Sequence, residues 1–254
     1  MNRRLGRIAA VSFGVSAACW LTALVVAALA GGEQRSWLTE TRTCAAMLWA
    51  KKTGADRAAG NHDGAAANES RSIDLAWRGS DAVKVNIPAR VYYQPGPTAQ
   101  ASVSGNSERV NHVRMRDGTL EWDTMIDCFS ADDLVVRLTG PAVAAWTLNG
   151  SGALDLSGIS QDALRITMHG SGTVTASGET RETSLDVAGS SSADLSKLLT
   201  RQATARIRGS AEVDLAPRED ADISISGSAI VRLHGTGARI QSRVSGSGQV
   251  KQVP

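Results

Sequence analysis

The chain has 254 residues, 27 of them basic and 25 acidic, with 4% aromatic residues and 25 glycines. Charge this balanced, with no basic block in the body of the chain, excludes a nucleic-acid-binding protein, which needs a concentrated positive footprint. Scarce aromatics and abundant glycine suit stacked strands better than a thick globular core.

Arg3, Arg4 and Arg7 precede an uncharged, mostly apolar stretch from Ile8 to Ala30. Arginines ahead of an apolar run read as an export signal whose N-terminus stays in the cytoplasm. Ala28-Leu29-Ala30 is an Ala-x-Ala cleavage pattern, yet the run is also long enough to span a bilayer. Residues 1–30 are therefore read as a signal peptide cleaved after Ala30 or as a retained inner-membrane anchor helix formed by residues 8–30. Either way the rest of the chain is expected outside the cytosol, in the periplasm, the cell envelope or at the cell surface. Cys19 follows Ser16-Ala17-Ala18, without the large aliphatic residue of a lipoprotein site.

Residues 31–70 form a second region. Ser36 to Lys52 reads as a short helix with Trp37, Cys44 and Leu48 near one face, and Gly54 to Ser70 as a flexible linker. In an oxidising compartment Cys44 and Cys128 are a candidate disulfide, with two separate thiols as the alternative.

Residues 71–145 show strand alternation. It starts at Ile73-Asp74-Leu75 and continues through Val83 to Ile87, then Ala89 to Tyr93 before the turn Gln94-Pro95-Gly96-Pro97. Val110 to Met115 alternates, Arg116-Asp117-Gly118-Thr119 reads as a hairpin turn into Leu120-Glu121-Trp122, and Leu134 to Leu138 alternates again. This stretch is expected to start or cap the repetitive region that follows.

From residue 146 to 251 a Gly-Ser signature recurs six times, at Gly150-Ser151, Gly170-Ser171, Gly189-Ser190, Gly209-Ser210, Gly227-Ser228 and Gly246-Ser247. Residues two and four before each glycine, and four and six after it, are apolar in all but Ser242 and Gln252. Alternation at period two is a strand signal, and in-register apolar columns let each copy bury its neighbour's face. The expected fold is all-β, a single-chain parallel β-helix or β-solenoid over residues 71–254. Right-handed coiling follows from the general crossover preference. The glycine column and the small column two places later (Gly152, Gly172, Ser191, Ala211, Ala229, Gly248) share the inward parity and are expected at a bend where the coil narrows and no side chain fits inside.

Parity turns the six serines (Ser151, Ser171, Ser190, Ser210, Ser228, Ser247) outward. They read either as short residues bonding their neighbours at a bend or as a hydroxyl ladder for a ligand. Four residues further on, Asp155, Asp194 and Asp214 share one outward row with Thr175, Arg232 and Lys251. Calcium would want several clustered oxygens there, but Thr175 interrupts the row and the calcium-solenoid nonapeptide is missing. No metal, cofactor or catalytic residue is assigned. His169 and His234 are isolated.

This layout resembles the putative auto-transporter adhesin head family, the GIN domain, over about residues 73–251. The likeness rests on the early strands, Tyr92-Tyr93-Gln94-Pro95-Gly96, Gly118-Thr119-Leu120, Leu134 to Gly140, and repeats such as Leu148-Asn149-Gly150-Ser151-Gly152 and Met168-His169-Gly170-Ser171-Gly172. The chain departs from full Gly-Ser-Gly at Ser191, Ala211 and Ala229, all still small. The resemblance implies an exported or envelope-attached β-helical domain and brings no catalytic residues with it.

The expected function is adhesion or envelope interaction without catalysis, the partner being a surface glycan or an envelope protein and the membrane touched only through the N-terminal segment. Two alternatives stay open. One is a carbohydrate-binding or polysaccharide-processing β-helix, for which Asp155, Asp194 and Asp214 would supply the carboxylates. The other is a membrane-anchored envelope regulator or sensor.

Overall fold

In the computed structural model the described residues are 70–123 and 134–254. The export segment, the helix expected at Ser36 to Lys52, the linker, and Cys44 and Cys128 all lie outside them. Among the described residues no helix is long and apolar enough to cross a membrane.

The repeats build four long strands: β9 (Ala153–Gly170), β10 (Thr173–Gly189), β11 (Ser192–Gly209) and β12 (Glu212–Gly227). Each bends midway, so its first half lies on one face of the stack and its second half on the other. Successive copies pair in parallel, with Gly170 opposite Gly189, Gly189 opposite Gly209, and Gly209 opposite Gly227. The result is a β-solenoid, about five turns between the first and last Gly-Ser corners. Columns such as Leu154, Val174, Ala193, Val213 and Val231 are buried to within about 1% of full enclosure. Removing a Val, Leu or Ile side chain from water stabilises by roughly 1.5–3 kcal/mol, so the in-register columns are what hold the stack together.

The preceding strands enter the same columns, though not in chain order. They are β2 (Ala82–Val85), β3 (Arg90–Pro95), β6 (Thr119–Trp122), β7 (Leu134–Gly140) and β8 (Ala145–Gly150). On the first face β3 lies between β7 and β9, all parallel. On the second face β2 lies between β6 and β8. The rung made first, β2 with β3, is thus enclosed by the rungs made second and third, and the chain from β7 to β8 must pass it. Tyr93 of β3 secures that crossing: its hydroxyl donates to the Pro141 carbonyl at 2.7 Å, and its ring packs on Trp146 at 5.0 Å.

Antiparallel strands close the N-terminal end. On the first face β4 (Gln100–Asn106) pairs with β7, and β1 (Ser70–Asp74) with β4. On the second, β5 (Val113–Arg116) forms a hairpin with β6 across Asp117-Gly118, whose φ values of 47° and 74° are those of a type I′ turn. Alternation had suggested a strand from Val110. Instead Ser107–Val110 forms a helical turn, α1, because the Asn106 side chain accepts the Glu108 amide at 2.9 Å.

Strands β13 (Ile230–His234), β14 (Arg239–Gly246) and β15 (Gln249–Val253) complete the stack. Here the inward columns weaken. Ser242 and Gln252 are exposed, and Val244 is 44% exposed.

The glycines serve a different purpose from the one parity suggests. A Cβ on Gly189, Gly209, Gly227 or Gly246 would lie 2.2–2.5 Å from the carbonyl oxygen of the previous repeat's glycine, and all four have φ between 111° and 134°. The obstruction therefore runs along the stack, rung against rung. The interior narrows two residues later, where a Cβ on Gly172 would meet Leu148 at 2.6 Å. Ser191 fits in that column by donating its hydroxyl to the Gly170 carbonyl at 3.0 Å.

Candidate binding face

Side chains pointing outward from the first face form a single register column. From the N-terminal end it runs Asp74, Ser102, Arg137, Tyr92, Asp155, Thr175, Asp194, Asp214, Arg232, Lys251. Tyr92 enters it because β3 stacks directly on the start of β9. Its neighbours Val91 and Tyr93 are buried, so alternation places its ring outside, where it is 37% exposed. The Arg137 guanidinium lies over that ring, 5.8 Å from its centroid.

The three aspartates have distinct settings. Asp214 accepts from Arg232 Nη1 at 3.0 Å and lies 2.8 Å from His234 Nε2. Arg232 also pairs with Glu212. That end of the column is a closed ionic cluster. The Asp194 carboxylate accepts the Ser196 hydroxyl at 2.6 Å and the Ser196 amide at 3.0 Å. Its pKa is held below the ordinary carboxylate value chiefly by that hydroxyl, assisted by the amide and the Lys197 and His234 charges and opposed by partial burial. Asp155 has no hydrogen-bond or ion-pair partner among the described residues.

Between Tyr92 and the ionic cluster, Asp155, Thr175, Ser177, Asp194 and Lys197, with the buried Leu156 and Ala176 beneath them, line a shallow recess of about 230 Å³. Its neighbours in register are small, Ala153, Thr173 and Ser192. Among the described residues no three His, Cys, Asp or Glu side chains converge as a metal site.

The six corner serines are all exposed. Their amides continue the ladder, Ser190 to Gly170 at 2.8 Å and Ser210 to Gly189 at 2.9 Å, while no hydroxyl among them bonds to a described residue. The other corner, residues 157–162 and their counterparts, is charged and irregular. There Arg181 meets Asp162 at 3.5 Å and Arg201 meets Glu219 at 3.9 Å. His169 is exposed on the second face, and His234 belongs to the Asp214 cluster.

Sequence reasoning identified Asp155, Asp194 and Asp214 as one row, and the structure stacks them in that row. It did not connect Tyr92 to them. Parity alone could have turned Tyr92 outward, but the strand order that sets it beside Asp155 departs from chain order.

Fold and surface together define a β-solenoid whose exposed chemistry lies on flat faces and corners. The model of the family described as "Putative auto-transporter adhesin, head GIN domain" matches residues 80–237, and the chain belongs to that family. None of the curated proteins matches the sequence. Among solved structures, a putative adhesin from Bacteroides fragilis superposes with a TM-score of 0.60 at 15% identity, covering 74% of this chain and 98% of its own. A putative lipid binding protein from Parabacteroides distasonis gives 0.47 at 18% identity, covering 73% and 96%. A putative adhesin from Parabacteroides merdae gives 0.46 at 14%, covering 74% and 98%. At these identities the first likeness concerns the fold alone.

Proposed function

We propose that this chain is an adhesin-type head, exported from the cytosol, that binds a surface component through its first face and catalyses no reaction. The supporting observation is the outward column itself, which aligns an exposed aromatic, free and preset carboxylates and hydroxyls on a rigid sheet. Rigid display reduces the ordering cost of binding. Membership of the adhesin head family agrees with binding and with a location outside the cytosol. The three aspartates stand on successive or near-successive rungs of a flat sheet, without the enclosed cleft of a glycosidase. Residues 1–30 direct export, by cleavage after Ala30 or as an anchor.

The direct test is adhesion of the purified full-length chain to immobilised glycans, matrix proteins and envelope fractions. Saturable binding that falls on mutation of the Tyr92–Asp194 column supports the reading. Turnover of a polysaccharide, or binding indifferent to that column, refutes it. The mass of the mature protein decides between cleavage and anchoring, and is lower by two hydrogen atoms if Cys44 and Cys128 are bonded.

A further inference from the structure

We infer that the recess beside Tyr92 is a subsite for a neutral oligosaccharide lying along the stacking axis, an assignment that rests on the adhesin reading above. Tyr92 supplies an amphipathic ring on which the C–H face of a sugar can stack, and Arg137 braces that ring. One rung along, the Asp155 carboxylate, which has no partner among the described residues, is an acceptor for sugar hydroxyls. Thr175 and Ser177 follow with hydroxyls that both donate and accept. Asp194 comes next, kept ionised and oriented by Ser196. Contacts therefore recur at the sheet spacing of about 4.8 Å, close to the advance of one sugar ring in an extended chain.

The same features disfavour other occupants. An extended peptide recognised by strand addition needs an open sheet edge, and the strands under the recess are paired on both sides. A lipid chain would need an exposed apolar floor, but the two apolar lining residues, Leu156 and Ala176, are buried beneath the sheet, and Asp155, Thr175, Ser177, Asp194 and Lys197 supply the side chains that reach the recess. An acidic polymer would meet Asp155 and Asp194 with only Lys197 to offset them in the recess. At about 230 Å³ the recess is below the roughly 300–1,000 Å³ of drug-sized sites, suited to one ring of a longer chain held by several shallow contacts.

The experiment is calorimetric titration of the full-length chain with tetra- to hexasaccharides of glucose, mannose, xylose and N-acetylglucosamine, with oligogalacturonate as the acidic comparison. At least one neutral member should bind saturably. Tyr92→Ala and Asp155→Ala should each weaken it about tenfold or more, and Tyr92→Phe should retain it. Ser210→Ala, on the corner, should leave it unchanged. Thermal melts matching the parent exclude misfolding as the cause. Binding of none of the neutral sugars, or of oligogalacturonate alone, overturns the assignment. If surface adhesion is nonetheless lost in Tyr92→Ala, the adhesin reading stands with a partner other than a glycan. If adhesion survives in both Tyr92→Ala and Asp155→Ala, that reading fails as well.

Discussion

At the scale of single residues, adjacent positions of one repeat carry opposite burdens. Gly209 has φ 125°, and a Cβ there would lie 2.3 Å from the Gly189 carbonyl oxygen. Gly209→Ala must therefore bear left-handed strain of about 1–3 kcal/mol and also push neighbouring rungs apart. A fall of at least about 2 kcal/mol in denaturant stability is expected. Ser210→Ala removes an exposed hydroxyl with no described partner and should change stability by less than about 0.5 kcal/mol. Tyr93 gives a second residue-scale prediction. Burial raises its pKa, an effect offset to some extent by the Val143 backbone. The resulting stability is complete below the ordinary tyrosine value near 10 and is lost as pH rises through the raised value, because the unfolded phenol ionises first. Tyr93→Phe should cost about 1–3 kcal/mol at neutral pH, through the unpaired Pro141 carbonyl, and should remove this alkaline contribution in pH-dependent denaturation. The need for glycine was legible in the sequence. Its reason was not, since parity pointed to the interior and the obstruction lies along the stack.

At the scale of elements, the repeat's uneven length has a definite location. The Gly-Ser corners stay in register from rung to rung, while the pairing shifts occur near Ala176/Gly178, Thr175/Ser177 and Leu195/Leu199. Extra residues are thus absorbed at the charged corner, outside the apolar columns. One glycine inserted between Arg218 and Glu219, in the shortest repeat, should change stability by no more than about 1 kcal/mol. The same insertion between Val213 and Asp214 reverses parity along the strand and should abolish cooperative unfolding. Charge at Ile207 should do likewise, because that side chain is 1% exposed and an unpaired buried charge is costly. Far-ultraviolet circular dichroism with denaturant titration measures all three variants.

At the scale of the whole molecule, a stack of near-identical turns should tolerate loss of a complete turn. Deleting Ser190 to Gly209 joins Gly189 to Ser210 and restores every column, so the shortened chain should fold with lower stability, whereas a deletion of half that length should not fold. Equilibrium unfolding and small-angle scattering would show a stack about 4.8 Å shorter. The sequence by itself determined the all-β class, the repeat register and the outward row of Asp155, Asp194 and Asp214, because period-two alternation and a recurring Gly-Ser corner are local and survive projection onto one dimension. Only the tertiary structure decided that the β2–β3 rung is enclosed by rungs made later, and hence that Tyr92 stands beside Asp155. Strand order depends on which apolar faces bury one another best, and that choice is made between segments far apart in the chain, where no local pattern records it.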